Sequence, residues 1–359
     1  MLYFVKTAMF FEESSLDELK SLSGFKIVDK ELNNLMVDAS SDIDKKMQKK
    51  DCTFIHSAFR IDTKGKISKD DYLGSLYKPV LKVIRGARIG KKDVIVLECY
   101  DINNKEGYSA KDVEVNLGKR LIKDGYTADL VDPSRRVYMI LLNGNCYVGE
   151  ERLGGSERKA LDPTRRVAYK VSRAELKISQ AFGEFDIKGN GVAIDLGAAP
   201  GGWSAYLAGK GYKVVAIDTA DLDTASLSKM GIKSVKAGSK LKNLGKIISG
   251  SDVVHLKADS AEALIALRGM KADLLADDMN MDCVSSIKEA LKYKKFLRKG
   301  GVLLMTIKCV TRNAPRYIKE ARKLLAHSFE IKGIKVLPSN RQEMTLCAVY
   351  KGRWRKDNQ

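Results

Sequence analysis

The sequence predicts an α/β protein whose C-terminal half is a mostly parallel, seven-stranded sheet covered by helices, preceded by two smaller α/β units. Three observations predict it. The chain has 359 residues, more than the ~250 at which single cores stop growing, so two or three domains are expected. Its composition, 44% hydrophobic and 30% charged with 6 Pro and scattered Gly, is that of a chain able to bury a core, which excludes collagen, low-complexity sequence and disorder. From about residue 190 onward, strand-like and helix-like runs alternate, the pattern of a parallel sheet with helices on both faces.

Taken in order, the first unit (1–60) pairs strand-like Leu2–Thr7 and Leu35–Asp38 with helices near Ser14–Ser15 and from about Asp42. The second (61–155) carries a helix around Asp71–Ile84, a strand-like run Val94–Tyr100, a helix Lys111–Lys123, and runs Val137–Leu142 and Cys146–Val148. Asn143-Gly144-Asn145 joins those last two runs, a strong hairpin signal because two-residue turns that follow the sheet twist need positive φ. Charged, Gly-rich sequence at 156–170 reads as a linker. The third unit (171–355) contains seven strand-like runs: Val192–Leu196, Lys213–Asp218, Asp252–Leu256, Ala272–Ala276, Gly301–Ile307, Ile331–Val336 and Thr345–Tyr350. Helices are expected from Gly201, over Ala261–Leu267, and near Ser285–Leu297 and Pro315–Ala326. The short connection between the last two runs predicts one antiparallel strand at the sheet edge.

Charge narrows the partner. Lys+Arg number 64 against 45 Asp+Glu, a net +19, which points to a polyanion and first to nucleic acid, whose counterions a basic surface releases. Asp132-Pro133-Ser134-Arg135-Arg136-Val137 is echoed by Asp162-Pro163-Thr164-Arg165-Arg166-Val167. Both are Asp-Pro turns, with solvated arginines or phosphate-contacting arginine pairs as even alternatives. The six cysteines form no C-x-x-C pair and suit a reducing compartment. With only His56, His255 and His327, neither a zinc site nor a Ser-His-Asp triad can be assembled. The apolar runs are too short for a membrane helix, and Lys6, Glu12 and Glu13 interrupt any signal-peptide core. A cytoplasmic protein is expected.

The chemistry-bearing signal is Asp195-Leu196-Gly197-Ala198-Ala199-Pro200-Gly201-Gly202-Trp203, where the first strand of the third unit turns into a helix, the place open α/β sheets bind ligands. It lacks both the dinucleotide and the P-loop glycine patterns. Pro200 removes an N–H that a pyrophosphate would use, and Asp195 adds negative charge. Asp218, closing the second strand, is placed for a ribose diol. A cationic nucleoside is implied.

This string, extended by Ser204, resembles the cofactor loop of the FtsJ/RrmJ-type RNA ribose 2′-O-methyltransferases. The resemblance implies a Rossmann-like methyltransferase fold and S-adenosylmethionine as cofactor. It places Asp195, Gly197, Ala198, Pro200, Gly201, Gly202 and Trp203 about the methionine side, Asp218 on the ribose and Asp259 at the adenine edge. Asp259 alone would read as a helix N-cap. The family's Lys-Asp-Lys-Glu set is matched in order by Lys177, Asp278, Lys308 and Glu343. Lys177 falls at the edge of the apolar stripe Ala174, Ile178, Ala181, Phe182, Phe185, on a helix opened by a Ser172–Glu175 capping box. Asp278, chosen over Asp277, follows the fourth strand, and Lys308 ends an apolar strand, where packing does not explain a charge. Met279-Asn280-Met281 departs from the family's usual Met-Ala-Pro-Asn. The roles implied are Lys308 as base or hydroxyl-orienting group, Asp278 as its charge partner near the sulfonium, and Lys177 with Glu343 as orienters of the target ribose.

Gly118-Lys119-Arg120, followed by Ala128-Asp129-Leu130-Val131-Asp132-Pro133 and a hairpin, resembles the RNA-binding THUMP domain, which implies that the N-terminal half captures RNA. A THUMP-like front half joined to such a catalytic half implies a large-subunit (23S) rRNA cytidine as target, with tRNA as the alternative. Outside that class, a NAD-dependent oxidoreductase does not account for the lysines, and a non-catalytic RNA-binding protein does not account for the complete set of four.

Overall fold

A computed structural model of the chain describes residues 1–50, 52–102, 108–129, 133–152, 171–172, 174–238, 244–309 and 313–352. The expected linker at 156–170, Asp132 and the second Asp-Pro segment at 162–167 lie outside the described residues. The chain divides into two compact units: Met1–Met9, Ser15–Asp51 and Ile55–Val167 form one, and Phe10–Ser14, Cys52–Phe54 and Ala168–Gln359 the other. Among the described residues no helix is long and apolar enough to cross a membrane.

The first unit holds two sheets. Strands β1 (Leu2–Thr7), β2 (Phe25–Glu31), β3 (Asn34–Ala39) and β4 (Ile55–Arg60) pair antiparallel in the order β2-β3-β1-β4. The two edge strands, β2 and β4, have no counterpart in the sequence expectation. Half-exposed edges carry weak alternation, and β2 reads Phe-Lys-Ile-Val-Asp-Lys-Glu with no fully buried position. The second sheet comprises β5 (Thr63–Lys66), β6 (Val94–Asp101), β7 (Thr127–Ala128), β8 (Arg135–Leu142) and β9 (Asn145–Arg152), ordered β5-β9-β8-β6-β7. Helices α1 (Glu12–Leu22) and α2 (Ile43–Lys49) precede it, and α3 (Tyr72–Gly86) and α4 (Ala110–Lys123) run within it. The β8–β9 hairpin turns at Asn143 and Gly144 with φ of 48° and 72°, the double positive φ that Asn-Gly supplies at least cost. The unbroken apolar run of β8 is explained by burial on both faces. Val137, Met139 and Leu141 pack with Leu76, Val80 and Leu117 of α3 and α4, while Tyr138, Ile140 and Leu142 cluster with Phe4, Met36 and Phe59 of the four-stranded sheet.

The arginines that open β8 are neither solvated nor open to phosphate. Arg135 reaches Glu150 at 3.0 Å and Asp93 at 3.8 Å, and Arg136 reaches Glu151 at 2.6 Å and Glu98 at 3.3 Å. Each cation is answered by two carboxylates from neighbouring parts of the same sheet.

The second unit is the expected α/β layer structure with two corrections. Its sheet has eight strands, not seven, in the order β12-β13-β11-β10-β14-β15-β17-β16. These are β10 (Gly191–Leu196), β11 (Tyr212–Asp218), β12 (Ser234–Gly238), β13 (Val253–Lys257), β14 (Ala272–Asp277), β15 (Leu297–Lys308), β16 (Phe329–Lys335) and β17 (Glu343–Tyr350). The extra strand, β12, is a short edge strand whose Ser-Val-Lys-Ala-Gly sequence leaves Val235 38% exposed, so no apolar alternation marks it. The antiparallel strand is β17, and it lies inside the sheet between β15 and β16 rather than at the edge. Its six leading residues are all buried, and that apolarity demands neighbours on both sides. The helices are α5 (Ala174–Glu184), α6 (Gly202–Gly209), α7 (Thr224–Lys229), α8 (Leu244–Ser249), α9 (Ser260–Ala266), α10 (Cys283–Tyr293) and α11 (Ala314–Leu325).

Candidate active site

The parallel strands β10, β11, β13, β14 and β15 end at one rim of the sheet, and the sequence-selected residues gather there. The loop between β10 and α6 is shaped by two glycines in left-handed conformation, Gly197 at φ 71° and Gly201 at φ 116°. A Cβ on Gly197 would come within 3.0 Å of the Met279 backbone, so this glycine lets the loop after β14 close against the loop after β10. Ala198 and Pro200 complete the turn, the latter through a cis Ala199–Pro200 peptide. A Cβ on Gly202 would overlap Ser172 Oγ, so the start of α6 and the segment leading into α5 share space that only glycine leaves free.

Two carboxylates, Asp195 and Asp218, line this loop, and a third, Asp259, follows the neighbouring strand β13. Asp195 is 1% exposed. Its Oδ2 accepts a 2.6 Å hydrogen bond from Ser204 Oγ, and its Oδ1 has no partner among the described residues. Burial pushes its carboxyl up to about 7; the Ser204 hydrogen bond opposes the rise, and the nearby charges of Asp278, Asp277 and Asp218 add to it. Asp218 clamps the loop by accepting from Ala199 N at 2.9 Å and Ala220 N at 2.8 Å, leaving further lone pairs on both oxygens. Asp259 is the N-cap of α9, accepting from Glu262 N at 2.9 Å within a reciprocal capping box. Trp203 turns inward, 3% exposed within the apolar core that includes Ile178, Phe182 and Tyr212, with Nε1 unpartnered among the described residues. The loop therefore presents acceptors and no cluster of cations. An acceptor-rich set of this kind fits a cationic, diol-bearing nucleoside such as S-adenosylmethionine and does not fit a pyrophosphate.

Lys177, Asp278, Lys308 and Glu343 form one cluster. Helix α5 opens with the glutamate half of the expected capping box: Glu175 Oε1 accepts from Val171 N at 2.6 Å and Ser172 N at 3.2 Å, while Ser172 Oγ accepts from Ala174 N at 3.3 Å and Glu175 N donates to the Ser172 carbonyl. Ile178 and Ala181 are fully buried, which puts Lys177 at the margin of the core. Its Nζ lies 2.8 Å from Glu343 Oε1 and 3.2 Å from Asp278 Oδ2. Burial lowers the Lys177 ammonium, but the two carboxylates outweigh it and the net direction is upward. Lys177 is a held cation. Lys308 Nζ stands 3.8 Å from Asp278 Oδ1, and antiparallel pairing of β15 with β17 sets Lys308 directly opposite Glu343.

The adjacent Asp277 and Asp278 point to different surroundings. Asp277 is fully buried, accepts from Met279 N and Ser286 Oγ at 3.0 Å each, and is pushed up to about 7 by burial. It braces the turn, while Asp278 meets both lysines.

Two residues that sequence reasoning missed hold this cluster in place. Thr306 Oγ1 donates to Asp278 Oδ1 at 2.7 Å. Its signal was a lone hydroxyl inside the apolar run Val302–Ile307. Asn340 accepts from Leu337 N at 2.7 Å and Thr345 Oγ1 at 3.0 Å, and donates through Nδ2 to Glu343 Oε1 at 3.3 Å. No sequence signal marks Asn340, because polar loop residues three positions before an acid are common.

Residues 170–344 match the FtsJ-like methyltransferase family, so the second unit carries an FtsJ-like methyltransferase domain. An uncharacterized protein of Methanocaldococcus jannaschii is 25% identical over 188 residues, 51% of this chain and 47% of that one. Ribosomal RNA large subunit methyltransferase M of Marinomonas sp. is 27% identical over 188 residues, 50% of this chain and 48% of that one. The chain thus spans about half the length of the curated relatives it matches. The solved structure of TrmN from Thermus thermophilus is 16% identical, with 98% of this chain and 100% of that one covered at a TM-score of 0.39.

Proposed function

We propose that the chain is an S-adenosylmethionine-dependent RNA ribose 2′-O-methyltransferase acting on large-subunit (23S) rRNA at a cytidine. The observation that carries this reading is the cluster itself: two lysines and two acids converge at the strand ends beside an acceptor-lined loop, and one of the lysines, Lys308, has a single long ion pair among the described residues. The name of the Marinomonas relative supports the rRNA target.

When bound, S-adenosylmethionine supplies an electrophilic methyl group, and its adenosine and methionine ends would be held by Asp195, Asp218, Asp259 and the Gly197–Gly202 turn. A ribose hydroxyl is a poor nucleophile until it is positioned and relieved of its proton. Lys308 Nζ orients that hydroxyl, and it is the group placed to take the proton once, as a neutral amine, it has released its own proton to solvent. Asp278 fixes Lys308 and Lys177 from one carboxylate, itself aimed by Thr306. Lys177 and Glu343 orient the target ribose, with Asn340 holding Glu343. In the first unit, residues 61–155 serve as the THUMP-like RNA-capturing part. Arg135 and Arg136 are committed to carboxylates, so capture there rests on other cations.

The test is to incubate the protein with labelled S-adenosylmethionine and size-fractionated RNA lacking its modifications, then to digest the RNA and identify the labelled nucleoside. Label in 2′-O-methylcytidine from large rRNA is expected. Label in tRNA would move the target, and label on a base would overturn the roles of Lys308 and Asp278.

A further inference from the structure

Helix α11 follows β15 with only residues 309–313 between them, so its first turns leave the same rim at which Lys308 ends its strand. Its sequence, Ala-Pro-Arg-Tyr-Ile-Lys-Glu-Ala-Arg-Lys-Leu-Leu, is sharply two-sided. Ala314, Ala321 and Leu325 are buried. Arg316, Lys319, Arg322 and Lys323 are all exposed. At 100° per residue these four fall within one arc of about 120°. Glu320, half-exposed, is the one acidic residue of the helix.

What sets the four cations apart is that they share one helix face and that, among the described residues, no acid answers any of them. Other exposed cations of the unit are either answered singly, as Lys188 is by Asp186 at 2.8 Å, Lys213 by Asp252 at 3.0 Å, and Lys236 and Lys257 by Asp221 at 2.5 and 2.8 Å, or stand on separate elements, as Lys210, Lys271 and Lys299 do. Among the described residues, none of Arg316, Lys319, Arg322 or Lys323 has an acid within ion-pair distance. Leaving four like charges together on one helix face costs stability through repulsion, and the arc gains a use only when an anion covers it. From Arg316 to Lys323 the stripe runs about 10 Å, long enough to follow two to three consecutive phosphates.

We propose that this face of α11 is a phosphate track that leads the RNA backbone flanking the target nucleotide away from the Lys308 rim. The proposal rests on the RNA methyltransferase reading and adds the surface by which this chain holds its substrate outside the catalytic cluster. The track binds backbone and not base edges, so it contributes affinity without sequence choice.

The experiment compares the wild type with Arg316→Gln/Lys319→Gln/Arg322→Gln/Lys323→Gln and with a charge-matched control at the opposite ends of the strands, Lys188→Gln/Lys210→Gln/Lys271→Gln/Lys299→Gln. Melting curves establish that all three are folded. Methyl transfer to unmodified large rRNA and filter binding of the same RNA are measured from 50 to 300 mM salt. The α11 variant is expected to show a KM for RNA raised about tenfold, with kcat at saturating RNA and S-adenosylmethionine affinity within twofold. Its log-affinity against log-salt slope should be shallower by about 1.5–2, from ~0.7 for each of the two to three single-strand phosphate contacts. An unchanged KM and slope would overturn the track. So would an equal loss in the control, which would assign the effect to net charge alone. If the wild type transferred methyl to no RNA while the α11 variant alone bound RNA more weakly, the methyltransferase reading would fall and the phosphate track would stand.

Discussion

Arg135 and Arg136 in β8, and Lys177 and Lys308 at the rim of the larger sheet, are both pairs of cations set among carboxylates, yet their stoichiometries differ. In β8 each guanidinium has two acids within 3.8 Å, and it lies largely buried inside the sheet. At the rim two lysines share Asp278, Glu343 answers Lys177, and Lys308 has, among the described residues, one acid at 3.8 Å and 30% side-chain exposure. The difference teaches how to separate a structural ion-pair network from a working one. Both are cation pairs among acids, but only the second leaves a cation with one long ion pair and open access at a strand end, where a substrate could complete the set.

The largest break in that comparison is Lys308→Ala. Methyl transfer should fall by at least about 10²-fold in kcat, the usual scale for a positioned proton acceptor, while equilibrium binding of S-adenosylmethionine stays within twofold. A variant that kept wild-type turnover would make the rim cluster as structural as the β8 one.

Asp195 sharpens the contrast by pH. Its carboxyl, pushed up to about 7 by burial, is mostly neutral at pH 6 and mostly anionic at pH 8, and a cationic ligand prefers the anion. Affinity for S-adenosylmethionine should therefore rise with pH over this window by up to about tenfold. Calorimetric titrations at pH 6, 7 and 8 should show the rise in the wild type and a flatter profile in Asp195→Asn.

The smallest effect is expected where the cations are already paired. Arg136→Gln removes the cation that faces Glu98 and Glu151 and should cost about 1–2 kcal/mol of stability by denaturant unfolding, with RNA affinity changed less than twofold. A loss of RNA binding as large as that of the α11 variant would return the β8 arginines to the list of phosphate contacts.

Local chemistry made much of this molecule legible in the sequence. The Asn143-Gly144 turn, the Ser172–Glu175 capping box and the glycine turn at 197–202 each depend on residues a few positions apart, and the structure places each of these motifs in its expected element. Strand–helix alternation announced the larger sheet because buried parallel strands need continuous apolar runs. The strands it missed, β2, β4, β5, β7 and β12, are all at sheet edges, where one exposed face erases the pattern.

The sequence by itself determined which residues could do chemistry: a glycine turn with Asp195, an acid closing the next strand, and charges ending otherwise apolar strands. Only the tertiary structure decided how those charges are answered. Lys177 finds Asp278 across 101 positions of chain, Thr306 and Asn340 fix the two acids, β17 enters between β15 and β16 to bring Glu343 opposite Lys308, and Arg135 and Arg136 are neutralised by acids of neighbouring strands and turns. The physical reason is range. Turns and caps are satisfied by backbone groups within a few residues, whereas a charge is balanced by whatever the packed sheets bring within about 4 Å of it.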